Sequence, residues 1–339
     1  MSNALPQVTV IIPCYNAAEF LDETIRSVTQ QSYPEWECIV MDDESSDNSL
    51  EIAHRWEANF SQIRVQTGPN KGRAAVINEA LQMLGPETHY LAYLDADDML
   101  HPEFLQVTVD YMESNPHVGL TSVGFYGFEG DISTAWNAYC NRMIPGRFLP
   151  RALRAEETRT PFITFFCGTG SGPFSLHRRS VFDRVSHWES AMTKRPVHGH
   201  EDTDMFCQFS LISEVHFLPN RLYYKREHSK AATQNHQGMQ DSYTLLRKKW
   251  DRLAQSESTY AADFKLSLEY YQKVHRPLRN LKVALKAIKV AFKGTEPGVG
   301  RFAMTLVWEN IPRILVGYPW FLLRFHHRRS RLRHPEMLG

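Results

Sequence analysis

Short apolar, β-branched runs alternate with helix-period segments along the first hundred residues. Val8 to Ile12 is the first run and stops at Pro13-Cys14-Tyr15-Asn16; Leu21, Ile25 and Val28 then fall on one helical face. Glu37 to Met41 is a second run, ending in Asp42-Asp43-Glu44. Leu50, Ala53 and Ala58 follow it, with Asn48 and Glu51 spaced as a capping pair. Arg64 to Gln66 is a third, and Ala74, Ile77, Leu81 and Leu84 trace a third helix. His89 to Leu94 is the fourth, ending in Asp95-Ala96-Asp97-Asp98. Strand and helix alternating at this spacing predict a parallel sheet with helices on its faces.

That prediction places the chemistry. Ligands of an open α/β sheet bind beyond the carboxyl ends of its strands, and Tyr15, Asp43 and Asp97 each lie just past a strand end. Three acids in four positions repel one another unless a cation sits among them, and a hard divalent cation takes oxygen ligands. A solvated acidic turn is the ordinary alternative for an isolated Asp-x-Asp. Further on, Glu201-Asp202 opens a helix whose apolar positions are Met205, Phe206, Phe209 and Ile212. Carboxylates there serve as helix-dipole partners in many proteins. Strand-like runs at 215–218 and 222–224 precede His228.

At 339 residues the chain can bury one substantial core and a smaller second region. Five cysteines with no paired metal spacing fit reduced thiols in a cytoplasmic protein. No basic-plus-apolar leader opens the chain, so no secretory signal is expected. Formal net charge is zero but lopsided: from Tyr271 onward Lys and Arg far outnumber acids, which places a boundary near 240–270. Lys282, Lys286, Lys289 and Lys293 share one helical face opposite Leu281, Leu285, Ile288 and Phe292. That pattern suits a helix lying on an anionic membrane surface, with packing on the α/β region as the alternative. The apolar stretch 314–323 contains Pro319 and is too short to span a bilayer. With the basic residues Arg324 to Arg333 behind it, the stretch reads as an interfacial anchor. We therefore expect peripheral attachment at the cytoplasmic face of the plasma membrane, and no nucleic-acid partner. Between Gly130 and Gly172, Arg147, Arg151, Arg154 and Arg159 with Trp136, Tyr139 and Phe148 read as a ligand-facing loop or a solvated surface helix.

Five motifs in order carry a resemblance: residues 10–16 (VIIPCYN), 39–47 (IVMDDESSD), Asn70-Lys71-Gly72-Arg73, 94–98 (LDADD) and 200–204 (HEDTD). Over roughly 6–230 the chain resembles the inverting glycosyltransferases of family 2. The resemblance implies a GT-A fold: an α/β, Rossmann-like, mostly parallel sheet flanked by helices, here with a C-terminal helical basic extension. It implies a catalytic domain over 1–240; the basic, apolar tail, not the resemblance, marks 241–339 as a membrane-associating extension. It also implies a nucleoside-diphosphate sugar donor, UDP-sugar favoured, a divalent cofactor (Mn²⁺ or Mg²⁺), and a glycan or lipid-linked acceptor. Residue by residue, it puts Pro13, Tyr15 and Asn16 in the base-binding loop, Glu19 close to the nucleotide, and Asp43 as hydrogen-bond acceptor from the base. Asp42 becomes a turn residue. Asp95 falls at the ribose or just behind the metal's direct ligands, Asp97 at the metal with His228, Asp202 as the catalytic base, and Glu201 as holding the acceptor.

Two positions depart from the family pattern. Glu44 stands where the family has Gly, leaving the turn open to difference, and Val76-Ile77-Asn78 replaces Ala-Arg-Asn, so Lys71 or Arg73 is expected to supply the positive charge near the diphosphate. A sugar-nucleotide pyrophosphorylase is the competing enzyme class, but it needs a Gly-rich basic loop where Pro13-Cys14-Tyr15-Asn16 stands. A non-catalytic membrane-associated nucleotide-sugar-binding module is the third reading.

Overall fold

The structure is a computed structural model that describes residues 5–135 and 174–255, less 186, 187, 189, 195, 196, 198, 232 and 233. The arginine-rich segment from Trp136 to Gly172 and the basic tail from Tyr271 lie outside the described residues. The chain divides into two units, Met1–Lys249 and Trp250–Gly339, and the sheet belongs wholly to the first.

The centre of that first unit is an eight-stranded sheet: β1 (Gln7–Cys14), β2 (Trp36–Asp42), β3 (Ile63–Thr67), β4 (Thr88–Tyr93), β5 (Met99–Leu100), β6 (Val118–Phe128), β7 (Ser175–Arg178) and β8 (Glu214–Arg226), in the order β3-β2-β1-β4-β7-β6-β8-β5. β3, β2, β1 and β4 run parallel, each apolar run of the sequence forming one of them. β7 reverses the direction between β4 and β6, and β6 pairs with β8 in parallel. The sheet is thus mostly parallel with antiparallel insertions. The two runs expected at 215–218 and 222–224 are one strand, β8, irregular in register against β6.

The helices are α1 (Leu21–Thr29), α2 (Ser49–Asn59), α3 (Arg73–Leu81), α4 (Phe104–Ser114), the short α5 (Arg179–Phe182), α6 (Glu201–Ile212) and α7 (His236–Gln255). On α1 the predicted stripe holds: Leu21, Ile25 and Val28 are fully buried in one core with Val8, Val10, Ile12, Cys38, Val40, Tyr90 and Ala92. At α2, Asn48 occupies the N-cap position without a side-chain cap bond. Asp47 does that work instead: its Oδ1 accepts from Ser49 N at 3.0 Å and its Oδ2 from Ala18 N at 3.1 Å, so one carboxylate closes the helix start and ties it to the loop after β1.

The turn after β2 keeps the backbone a glycine would take. Glu44 has φ 61°, a conformation that costs a non-glycine residue about 1 kcal/mol, and its Oε2 accepts from Asn70 N at 3.2 Å. Gly72 is required at its position: φ is 91°, and a Cβ there would meet the Thr193 carbonyl oxygen at 2.3 Å.

The end of β4 is pinned by residues that sequence reasoning passed over. Asp98 is buried, and its Oδ1 accepts from Arg226 N at 2.8 Å and its Oδ2 from the Tyr223 hydroxyl at 2.7 Å. Burial, with Asp97 and Asp95 beside it, holds the Asp98 carboxyl well above the ordinary range. The buried guanidinium of Arg226 donates to the Asp97 carbonyl at 2.9 Å and the Gly130 carbonyl at 2.9 Å. It also pairs with Glu23 and stacks over Phe128 and Phe20 at 4.5 and 4.9 Å. Thr24 Oγ1 lies 2.9 and 2.8 Å from the carbonyl oxygens of Ala96 and Asp98, with one hydroxyl proton to share between them. The acidic turn is therefore a clamped element of the core.

Replacing Arg226 with Met should remove the guanidinium's bonds to the Asp97 and Gly130 carbonyls and to Glu23 and destabilise the protein by about 3 kcal/mol. Arg226→Lys should recover only part of that, because one ammonium cannot span the same fork. Urea midpoints of the two variants check this; a wild-type midpoint in Arg226→Met would show that the turn holds without it.

Candidate active site

The loops after β1, β2 and β4 meet at the carboxyl edge of the sheet, where α3, α6 and the end of β8 also arrive. After β1, Tyr15 is 40% exposed, and Asn16, with φ 49°, links two loops. Asn16 Oδ1 accepts from Ser46 N at 2.8 Å, and its own N–H donates to Ser45 Oγ at 2.9 Å. Pro13 lies within β1 opposite Met41. Cys14 is buried and its thiol is pushed up to about 12 by that burial, so it is no nucleophile at neutral pH. Glu19 pairs at 2.9 Å with Lys230 on the surface.

After β2 the paired acids divide their tasks. Asp42 Oδ2 accepts from Ser45 N at 3.2 Å and Thr67 Oγ1 at 3.0 Å, a turn role. Asp43, also buried, accepts from Lys71 N at 2.7 Å with Oδ1 and from Gly72 N at 3.0 Å with Oδ2, which folds the Asn70–Arg73 segment over it. The Lys71 ammonium pairs with Glu79 on its own side of the loop.

Arg73 is the residue that joins the two halves of the site. Its Nε donates to Asp95 Oδ1 at 3.0 Å and its Nη1 to Glu201 Oε1 at 2.6 Å, while the guanidinium lies 5.7 Å from the Trp188 ring. Trp188 is in turn held by Asn78, whose amide donates to the Trp188 carbonyl and accepts from its N–H. Val76 and Ile77 beside it are buried, so the family's basic position on α3 is apolar here and the cation enters one turn earlier.

Beyond β4, Asp97 Oδ2 lies 2.9 Å from His228 Nε2, and the His228 ring packs 4.6 Å from Phe20. Burial and the nearby Asp95 carboxylate raise the Asp97 carboxyl above the ordinary range, against the hydrogen bond from His228. Asp95, Asp97 and Asp98 offer oxygens within 4.8 Å of one another. Asp98 is already engaged by Tyr223 and Arg226, so the side chains that suit an ion are Asp95 and Asp97, with His228 alongside. Two hard carboxylates and an imidazole, one carboxylate penalised for carrying its charge in a buried place, fit a hard divalent cation. The buried His228 Nδ1 has no hydrogen-bond partner.

His200 caps α6 in the left-handed conformation, φ 65°. Glu201 is buried, and desolvation lifts its carboxyl to about 7 despite the Arg73 guanidinium; its Oε2 has no hydrogen-bond partner. Asp202 is half-buried and accepts from Thr203 N at 2.6 Å. Asp204, buried, pairs with Lys249 at 2.7 Å and is structural.

The structure thus links Asp43, Arg73, Asp95 and Glu201 through direct bonds along one chain segment. Sequence reasoning missed Arg226, Tyr223, Thr24 and Trp188. No motif signals them, because each acts through a contact distant in sequence.

Comparison with known proteins agrees with this architecture. The profile described as "Glycosyl transferase family 2" matches residues 9–186, and the chain belongs to that family. Poly-beta-1,6-N-acetyl-D-glucosamine synthase of Staphylococcus epidermidis is 26% identical over 195 residues, 56% of this chain and 44% of that protein. Hyaluronan synthase of Pasteurella multocida is 30% identical over 105 residues, 31% of this chain and 11% of that one. The chain spans less than half the length of the curated relatives it matches first. Among solved structures, S. aureus TarS 1-349 in complex with UDP-GlcNAc has the same fold, at TM-score 0.58 and 18% identity over 79% of this chain and 72% of that one.

Glu201 generates a pH prediction. Its folded pKa lies above the unfolded one, so the native state holds the proton longer and stability falls as pH rises from about 4.5 to about 7. Glu201→Gln should lose this slope, with an upper limit of about 3 kcal/mol between the two ends. Urea midpoints at pH 4.5 and 7.5 measure it; parallel pH profiles for variant and wild type would contradict the assignment.

Proposed function

We propose that this chain is a metal-dependent inverting glycosyltransferase. It would move a sugar from a nucleoside-diphosphate donor, a UDP-sugar first, to a hydroxyl of a glycan or lipid-linked acceptor in cell-surface polysaccharide synthesis. One observation carries the reading: the cation-type set Asp95, Asp97 and His228 and the carboxylate pair Glu201/Asp202 share one edge of the sheet, joined by Arg73. Membership in family 2 supports it, as do relatives named as synthases of N-acetylglucosamine polymer and hyaluronan. TarS structures of this fold hold UDP-GlcNAc and UDP, which makes uridine compounds the first donors to test.

In this scheme Tyr15 lays its ring against the base, with Pro13 and Asn16 shaping the loop and Glu19 at its rim. Asp43 takes a hydrogen bond from a base N–H. Asp95, Asp97 and His228 would hold the divalent cation, Mn²⁺ or Mg²⁺, which when bound supplies electrostatic relief of the charge on the departing diphosphate. Lys71 and Arg73 add positive charge on the α3 side of the cleft. Asp202 removes the acceptor proton as the hydroxyl attacks from the face opposite the leaving group, so the anomeric centre inverts in a single displacement. Glu201, fixed by Arg73, aligns the acceptor beside that base.

The domain reading is that the catalytic part covers 1–240 and the extension 241–339 associates with the cytoplasmic membrane face through its basic and apolar residues. No described helix is long and apolar enough to cross a membrane.

Asp202→Asn should abolish sugar transfer while leaving UDP-sugar affinity within about twofold of wild type. Retained turnover would move the base to Glu201, whose carboxyl near 7 is the second candidate. His228→Ala should weaken Mn²⁺ binding by roughly tenfold or more, followed by titration in the presence of UDP. An unchanged affinity would leave His228 only its packing against Phe20.

A further inference from the structure

A second group of ligand-type side chains lies at the other end of β8, away from the acidic turn. The parallel pairing of β6 with β8 sets Val118 opposite Glu214, and Glu214 N donates to the His117 carbonyl at 3.4 Å, so His117 arrives beside the first residue of β8. Glu214 and His216 are two apart on that strand and share a face. Glu214 Oε2 lies 3.3 Å from His117 Nε2 and 2.9 Å from His216 Nε2. The two imidazole rings are 5.9 Å apart at 70°. One nitrogen from each histidine and a carboxylate oxygen fall within 4.8 Å of one another.

Tetrahedral zinc with bonds of about 2.0–2.1 Å spaces its ligand atoms about 3.3 Å apart, close to both nitrogen–oxygen separations here. The support beyond the ligands is also in place. His216 Nδ1 is 2.8 Å from the Tyr111 hydroxyl on α4, and His216 itself is buried. An Nδ1–H donating to Tyr111 leaves the Nε2 lone pair facing Glu214, the arrangement that orients a metal-bound histidine. His117 is half exposed, so a fourth ligand can enter from solvent.

We propose that His117, Glu214 and His216 form a zinc site that clips the start of β8 to the loop after α4. This site is separate from the proposed catalytic cation: its imidazole-rich set favours a borderline metal, whereas Asp95 and Asp97 favour a hard one. The inference does not rest on the glycosyltransferase reading.

The test uses untagged full-length protein, stripped with chelator, loaded with zinc in excess Mg²⁺, desalted and assayed for bound metal. Wild type should retain about one zinc per chain, and zinc should raise its Tm. His117→Ala, a change at a half-exposed position that the core does not need, and Glu214→Gln should both lose the retained zinc and the Tm rise. Asp97→Asn should keep both. Cobalt in place of zinc should give a visible absorption band in wild type and in Asp97→Asn but not in His117→Ala. No retained zinc in wild type, equal retention in His117→Ala, or loss of zinc in Asp97→Asn would overturn the proposal.

Discussion

Everything at the active edge depends on how three neighbouring carboxylates at the end of β4 are kept in one place. Asp95, Asp97 and Asp98 meet where burial already penalises charge, and the two deeper ones titrate above the ordinary range. The fold treats each differently. Asp98 is turned inward and satisfied by the Tyr223 hydroxyl and the Arg226 amide, becoming part of the scaffold. Asp95 is held sideways by Arg73, and Asp97 faces His228. Removing any one partner leaves a carboxylate short of bonds in a low-dielectric place, where the penalty is largest.

Arg226 and Arg73 are the two cations that make this tolerable, and they do different things. Arg226 works from behind, bonding the backbone of Asp97 and stacking between Phe20 and Phe128, so it fixes the shape of the turn. Arg73 works within the cleft and couples the turn to Glu201 at the start of α6. A shift of α6 is therefore felt at Asp95 and the reverse.

Much of this was legible in the chain. The four parallel strands were visible because their apolar runs are short, and three of them stop just before Tyr15, Asp43 and Asp95. The stripe of α1 was visible because its period is regular. What stayed hidden was whatever depends on contacts far apart in sequence. β7 inserts antiparallel between β4 and β6 with only four residues, too few for a periodic pattern to mark it. Asn48 and Glu51 had the spacing of a capping pair, yet Asp47 takes the role because it can also reach Ala18 N across the loop. Glu44 looked like a break in the family turn, but the backbone there reaches φ 61° regardless, since Asp43 and the Asn70–Arg73 segment close around it.

The proposed role of the acidic turn is to hold a cation against a nucleoside diphosphate. Calorimetric titration of UDP into the full-length protein, with and without Mn²⁺, tests it most directly. The account predicts binding that is strong with Mn²⁺, at least tenfold weaker without it, and insensitive to Mn²⁺ once Asp97 is changed to Asn. Equal UDP affinity in the presence and absence of metal in the wild-type protein would contradict it.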